Sequence, residues 1–131
     1  MRIINLVATS ILMSGVLLLN LAHANQGQVN HDNNSAVTLI NPFIVPVNKL
    51  DETIAMWEKA RDFLQQQPGY ISTELHQAIS TDSEYQLINV AKWKSAKEFK
   101  AATKKMHASG EIPKIDGVKY RPGLYKVIRK D

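Results

Sequence analysis

The 131-residue chain is predicted to form an α+β fold, in which two helices cover one face of a four-stranded antiparallel sheet. Three observations predict this. Two segments have apolar residues at helical spacing, and four short segments are rich in β-branched and aromatic residues. The segments follow one another in the order β-α-β-β-α-β, which is the ferredoxin-like pattern.

The first 24 residues have the features of a secretory signal peptide. Arg2 gives a positive start, Ile11–Leu21 is dominantly apolar, and Ala22-His23-Ala24 matches a small-x-small cleavage site. The apolar run is too short, and too closely followed by polar residues, to favour a membrane span, so cleavage is preferred over an uncleaved anchor. We therefore expect a periplasmic or secreted protein with no stable membrane insertion after cleavage.

Residues 25–36 are polar and almost free of apolar side chains. This composition is typical of a disordered linker, because it offers too little apolar surface to offset the entropy lost on ordering. Residues 37–131 then form a single domain, whose length is sufficient for one hydrophobic core.

The composition excludes several classes of site. The chain has no Cys, so disulfides, thiolate metal ligands and a cysteine nucleophile are absent, and its four His are scattered without metal-site spacing. No glycine-rich phosphate loop and no flavin or nicotinamide motif occurs. Lys94 and the four lysines of the second predicted helix that follows it are typical of a solvated helix face. We expect no metal, no cofactor and no nucleic-acid partner.

The first strand is predicted at Val37–Val45, and Pro42 within it indicates an edge position or a bulge. Asn48 is the expected N-cap of the first helix. Pro68-Gly69 ends that helix. Between them, apolar residues recur at helical spacing: Leu50, Ile54, Trp57, Ala60 and Leu64.

The second and third strands are predicted at Tyr70–Ala78 and Tyr85–Trp93, joined by a polar turn. In the second strand, one face is expected to carry Ile71, Thr73 and Leu75.

The second helix is predicted from Ala96 to about Met106 and opens with a capping box. In such a box, the side chains of Ser95 and Glu98 each bond the other residue's backbone N–H. Residues 107–123 are predicted to be an irregular connection, followed by a last strand at Leu124–Arg129.

Both faces of the predicted sheet are apolar. In the third strand, Leu87 and Ala91 point to one face, whereas Ile88 and Val90 point to the other. A sheet that is wet on one side alternates apolar and polar residues more cleanly. Since the two helices cover only one face, the pattern predicts a homodimer in which a partner sheet covers the second face.

Polar residues within this apolar frame are the candidates for a functional site. Asn89 and Trp93 lie four apart on one strand and therefore share a face. A buried amide without a partner costs roughly 1–3 kcal/mol, so Asn89 either bonds a neighbour within the core or belongs to a pocket. His76 is a candidate proton acceptor. The candidate substrate-binding residues are Asn41, Phe43, Trp57, Phe99, Arg121 and Tyr125.

Four segments resemble the antibiotic biosynthesis monooxygenase domain family. They are VTLINPFIVP from Val37, MWEKARDFLQQQPGYISTELHQA from Met56, YQLINVAKWKSAKEF from Tyr85 and RPGLYKV from Arg121. The resemblance covers roughly residues 37–128. It implies that two subunits pair their sheets into a dimeric α+β barrel, and that the ligand is a small molecule.

The resemblance also implies a chemistry. Quinone-forming members of the family place an Asn and a Trp where this chain has Asn89 and Trp93, and they use no metal, flavin or haem. The expected function is therefore that of an exported, cofactor-independent monooxygenase acting on a small aromatic or quinol-like substrate. In it, Asn89 and Trp93 stabilise an oxyanion and His76 accepts a proton.

One departure leaves an alternative open. Those members carry an aromatic hydroxyl six residues beyond the Trp, where this chain has Phe99. The alternative is a barrel protein that binds a small molecule without turnover. Haem is a less favoured ligand: Asn41 matches the first-strand Asn of haem-degrading members, but Ala102 stands at their Trp position and His107 lies at a different spacing.

Overall fold

The computed structural model describes residues 34–131, so the predicted signal peptide and most of the predicted linker lie outside the described residues. The elements confirm the predicted order. They are β1 (Val37–Ile44), α1 (Leu50–Leu64), β2 (Tyr70–Gln77), β3 (Leu87–Trp93), α2 (Ala96–Ser109), β4 (Lys119–Tyr120) and β5 (Gly123–Tyr125). Neither helix in this part of the chain is long and apolar enough to cross a membrane.

The fourth strand of the sheet is interrupted. The strands are antiparallel in the order β2-β3-β1-β4, and β5 also pairs with β1. Because Phe43 pairs with Tyr120 and Leu39 with Leu124, β4 and β5 keep one register along β1 and are two halves of the same strand. This strand starts inside the predicted irregular connection and ends at Tyr125, earlier than predicted, since residues 126–131 form no strand.

The sequence predicted an edge position or a bulge at Pro42, and the structure shows neither. β1 lies inside the sheet and pairs with β3 in unbroken register. The Pro42 carbonyl accepts the Arg121 N–H at 3.0 Å, so this residue's backbone groups face the fourth strand. The N–H that proline lacks therefore falls opposite Arg121, so the one ladder bond that Pro42 cannot make lies where the fourth strand is interrupted.

A β-bulge at the start of β2 changes the predicted faces of that strand. Tyr70 pairs with Trp93, but Ser72 pairs with Lys92, so the register shifts between Tyr70 and Ser72. Tyr70 consequently shares the helix-covered face with Thr73, whereas Ile71 points away and is 49% exposed. The expectation that Ile71 and Thr73 share a face is therefore wrong.

The two helices begin differently. Asn48 does not cap α1: it lies in a 3-10 turn, Val47–Lys49, and the helix starts without a side-chain cap. In α2, Ser95 Oγ accepts the Glu98 N–H at 3.1 Å, which confirms the cap. The Glu98 carboxylate, however, accepts from the Ser95 hydroxyl at 2.8 Å rather than from its backbone N–H.

The helix-covered face of the sheet carries two separate buried clusters. One consists of Val37, Leu39, Ala91, Trp93 and Ala102, and the other of Phe43, Val45 and Leu87. Phe99 packs against the first cluster and Trp57 against the second. The core is therefore divided across the middle of β1 and β3.

Gly69 brings the start of β2 against the start of α2. It has φ of +86°, and a Cβ placed on it would lie 2.5 Å from Glu98 Cβ. Gly110, which ends α2, also has a positive φ of +69° but has nothing within 4 Å of such a Cβ. Only glycine adopts these conformations without strain, and at Gly69 it also permits the close approach.

We expect Gly69→Ala to destabilise the domain more than Gly110→Ala, because both variants place a Cβ at positive φ but only the first forces Glu98 to move. Strain alone costs about 1–2 kcal/mol, and the displaced cap adds about 1 kcal/mol at Gly69. Urea denaturation of the two variants measures the difference. Equal losses would mean that the Gly69–Glu98 contact does not hold the two elements together.

Candidate active site

A cavity of about 940 Å³ lies between the sheet and the two helices, in the gap that divides the core. Its volume is at the upper end of the range of small-molecule sites, roughly 300–1,000 Å³. Segments after α2 contribute to its wall through Ile112, Pro113 and Ile115. The walls of the cavity are therefore mostly apolar, and its chemistry depends on the few polar side chains that line it.

Two asparagines form the floor of the cavity. Asn41 on β1 and Asn89 on β3 are direct register partners and point to the helix-covered face. Asn89 is only 9% exposed, in the centre of an interior strand. The sequence left open whether Asn89 bonds a neighbour or belongs to a pocket, and the structure shows both.

The neighbour that Asn89 bonds is Thr73. The Thr73 hydroxyl donates to Asn89 Oδ1 at 2.6 Å across the β2–β3 ladder. Sequence reasoning did not find Thr73 as a site residue. The alternation of side chains along β2 predicts which residues share a face with Thr73. It does not predict that Thr73 meets Asn89, 16 positions away, because that contact depends on the register of the hairpin.

The Asn41 amide is fixed in a similar way. Its Oδ1 accepts the Arg121 backbone N–H at 3.1 Å, at the interruption of the fourth strand. Both amide oxygens are thus occupied by protein donors. Within residues 34–131, no fully buried polar side-chain atom lacks a partner. The amide nitrogens have no protein partner there, so they are open to the cavity.

Trp93 closes one end of the cavity within an aromatic group. It is 1% exposed and packs edge-on against Tyr70 and Phe99, each with a ring-centre distance of 5.6 Å. Its indole N–H has no protein partner in the described part of the chain, and the side chain lines the cavity. Phe99 stands at the position where an aromatic hydroxyl was expected and has none. Tyr70, which also packs against the indole, carries a hydroxyl.

The other end of the cavity is lined by Phe43, Trp57 and Tyr120. Phe43 and Tyr120 pack edge-on at 4.9 Å, and burial raises the pKa of Tyr120, which keeps its phenol protonated. The Arg61 guanidinium lies 5.3 Å from the centre of the Trp57 ring, a cation–π contact. It is also paired with Asp62 at 2.9 Å.

Three predicted site residues are not brought to this cavity. His76 pairs with Ile88, Tyr125 pairs with Thr38, and Arg121 lies beside Pro42, all on the sheet face away from the helices. His76 is exposed, with Nδ1 at 3.4 Å from the Ile88 carbonyl and Nε2 at 3.7 Å from the Glu74 carboxylate.

The predicted catalytic set is therefore not brought together in this chain, because His76 and Asn89 point to opposite faces of one sheet. Arg121 contributes its backbone N–H rather than its side chain. The structure brings together the other six predicted residues: Asn41, Phe43, Trp57, Asn89, Trp93 and Phe99.

A different histidine lines the cavity. His107, in the last turn of α2, lies on the cavity wall with Phe99, Thr103 and Met106. The helical period from Phe99 could have found it, since residues three to four apart share a helix face. No cluster of three or more His, Cys, Asp or Glu that could hold a metal occurs among residues 34–131.

Comparisons with known proteins agree with this architecture. The family described as "Antibiotic biosynthesis monooxygenase" matches residues 36–109. A proposed monooxygenase from Shewanella loihica PV-4 is 52% identical, with a TM-score of 0.66, over 73% of this chain and 97% of that one. No curated protein matches the chain.

Two more distant structures share the fold. SnoaB, a cofactor-independent oxygenase from Streptomyces nogalater, is 20% identical with a TM-score of 0.57, over 73% of this chain and 96% of that one. The haem degrader MhuD from Mycobacterium tuberculosis is 18% identical with a TM-score of 0.58, over 72% and 98%. With the family match over more than half of the chain and the 52% identity to the Shewanella protein, this chain belongs to the antibiotic biosynthesis monooxygenase family.

Proposed function

We propose that this protein is a cofactor-independent monooxygenase that acts on a small, electron-rich aromatic substrate such as a phenol or quinol. The observation that carries the proposal is that Asn89 and Trp93, two side chains whose N–H donors have no protein partner, line one apolar cavity of about 940 Å³. Family membership and the shared fold of a cofactor-independent oxygenase support it.

The chemistry needs a deprotonated substrate in a dry site. A phenolate is electron-rich enough to reduce O₂ directly, and fixed donors stabilise its charge while the apolar walls exclude water. In the overall reaction, a phenol and O₂ give a quinone and water. The ring loses four electrons, one oxygen atom becomes the new carbonyl and the other leaves as water. The protein supplies binding, orientation and places for protons.

We propose His107 rather than His76 as the proton acceptor. His107 lies on the cavity wall, and His76 lies on the opposite face of the sheet. The hydroxyl that Phe99 lacks has a counterpart in Tyr70, which also lines the cavity and packs against Trp93.

We also propose that the protein is a homodimer. The sheet face away from the helices carries Ile40, Ile88 and Val90, which are half-buried, and Tyr125, which is 54% exposed. We call this the outer face. An apolar sheet face of this kind gains stability when it is covered, and a second copy of the sheet has the matching shape.

Export to the periplasm or the medium is a further proposal, which rests on the sequence of residues 1–24. N-terminal sequencing of the protein recovered outside the cytoplasm tests it. A mature protein that begins at Asn25 is expected, and an intact Met1 would contradict it.

A second candidate function is binding without turnover. Phe99 favours it, because a hydroxyl expected in the quinone-forming site is missing there. Such a protein would hold an aromatic ligand, with haem included among the ligands to be tried. It would show saturable ligand binding with no O₂ uptake, and a Soret shift only if haem is that ligand.

We expect Asn89→Ala to lower O₂ uptake with a reactive hydroquinone by about 100-fold, the usual cost of removing one oxyanion donor. The measurement uses the mature protein, freed of metal and flavin, with a panel of hydroquinones and an oxygen electrode. Asn48→Ala, which removes an exposed amide outside the cavity, is the matched control. Equal rates in Asn89→Ala and the wild type would contradict an oxygenase site at β3.

We expect His107→Gln to lower kcat at least about 10-fold and His76→Gln to leave it within about two-fold, because only His107 reaches the cavity and general-base catalysis contributes 10²–10⁴-fold. Steady-state kinetics with the hydroquinone that turns over fastest compares the two. The opposite ranking would restore His76 as the proton acceptor and would require a different assembly of the site.

We expect Val90→Glu to convert the dimer into a monomer, because it places a charge in the centre of the outer face. Analytical ultracentrifugation of the mature protein at micromolar concentration measures the change. Gln65→Glu adds the same charge at an exposed position after α1 and should leave the dimer intact. A wild-type protein that sediments as a monomer would contradict the proposed assembly.

A further inference from the structure

We propose that Asn41 and Asn89 form a paired-amide site that selects an ionised ligand oxygen, that of a phenolate or enolate, and that Thr73 is the positioning residue of this site. The inference extends the proposed function, because it names the form of the substrate that binds and adds Asn41 and Thr73 to the machinery. It is tested by binding alone, so it can fail or succeed separately from oxygenation.

The register places the two amides side by side. Asn41 and Asn89 are directly opposite on neighbouring antiparallel strands. Side chains in such pairs have Cβ atoms about 4.5–5.5 Å apart, within reach of one small group between them. Both line the same cavity, so one ligand oxygen can meet N–H groups from both strands.

The protein determines which end of each amide faces the ligand. A free carboxamide offers an acceptor and two donors, and it can rotate to present either. Here both oxygens accept bonds from the protein. The Arg121 backbone N–H, which can only donate, lies 3.1 Å from Asn41 Oδ1. The Thr73 hydroxyl donates to Asn89 Oδ1 at 2.6 Å. Each amide therefore presents its NH₂ group to the cavity, and the pair offers donors without acceptors.

A donor-only pair discriminates between protonation states of a ligand. A neutral phenol must place its own O–H, and against two N–H groups that hydrogen finds no acceptor, which leaves a buried donor unpaired. A phenolate oxygen accepts both bonds, and hydrogen bonds to an ionised acceptor are roughly twice as strong as neutral ones.

The charges around the cavity agree with an anionic ligand. Among the residues that line it, Asp116 is the one carboxylate, whereas Arg61 and Lys114 are cations. Arg61 is already paired with Asp62, and Asp116 is exposed. No carboxylate contacts either amide, so nothing at the floor opposes the negative charge.

The test uses 4-nitrophenol, whose ionised form absorbs visible light, as the probe of bound ionisation. For the wild-type protein we expect the midpoint of ionisation of the bound probe to fall by about one pH unit relative to the free probe, a tenfold preference for the phenolate. Asn41→Ala and Asn89→Ala should each remove at least half of that shift.

Thr73 is tested by a matched pair of variants. Thr73→Val removes the hydroxyl at nearly constant volume and should lose as much of the shift as Asn89→Ala, whereas Thr73→Ser keeps the donor and should retain it. Thr38→Val, on the outer face of β1, is the control for a threonine lost from the sheet. Thermal melts confirm that each variant is folded before the titration.

Each outcome decides the question. An unshifted midpoint in the wild type, or no spectral change at high probe concentration, overturns the paired-amide site. A shift that survives Asn41→Ala removes Asn41 from it, and one that survives Thr73→Val removes the positioning role. A full shift with no O₂ uptake from any hydroquinone refutes the oxygenase and leaves this site standing.

Discussion

The hydrogen bond from Thr73 to Asn89 is the constraint on which the candidate site depends. It allows an amide to stand in the centre of an interior strand, where an unpaired one would cost roughly 1–3 kcal/mol. In this bond the amide oxygen is used within the protein, and the amide nitrogen is left without a protein partner. The same bond thereby stabilises a side chain that divides the hydrophobic core and keeps it within the wall of the cavity.

The interrupted fourth strand provides the second half of this arrangement. The strand is interrupted at Arg121 and Pro122, beside Pro42, which has no backbone N–H to donate to the Arg121 carbonyl. The Arg121 N–H lies in this gap and reaches both the Pro42 carbonyl, at 3.0 Å, and the Asn41 amide oxygen, at 3.1 Å. Prolines inside a sheet usually weaken it. Here they fall where the backbone is needed to orient a side chain of the cavity floor.

The sequence predicted the order of the elements because that order depends on local patterns, namely the two helical periods, the cap at Ser95 and the stop at Pro68-Gly69. It also paired Asn89 with Trp93, since four residues along a strand always share a face. The sequence did not predict which sheet face carries His76, or that Thr73 contacts Asn89. Their relation to Asn89 depends on the register across the β2–β3 hairpin, which the pattern of a single strand does not give.

The cavity and the proposed dimer are physically connected. Polar groups and the cavity occupy the centre of the helix-covered face. Its two buried clusters therefore form a smaller core than a continuous apolar face would. The outer face still carries Ile40, Ile88 and Val90 on adjacent strands. Each Å² of that surface removed from water contributes about 25 cal/mol. A second subunit would restore the stability that a continuous core would have given, and it would do so without filling the cavity.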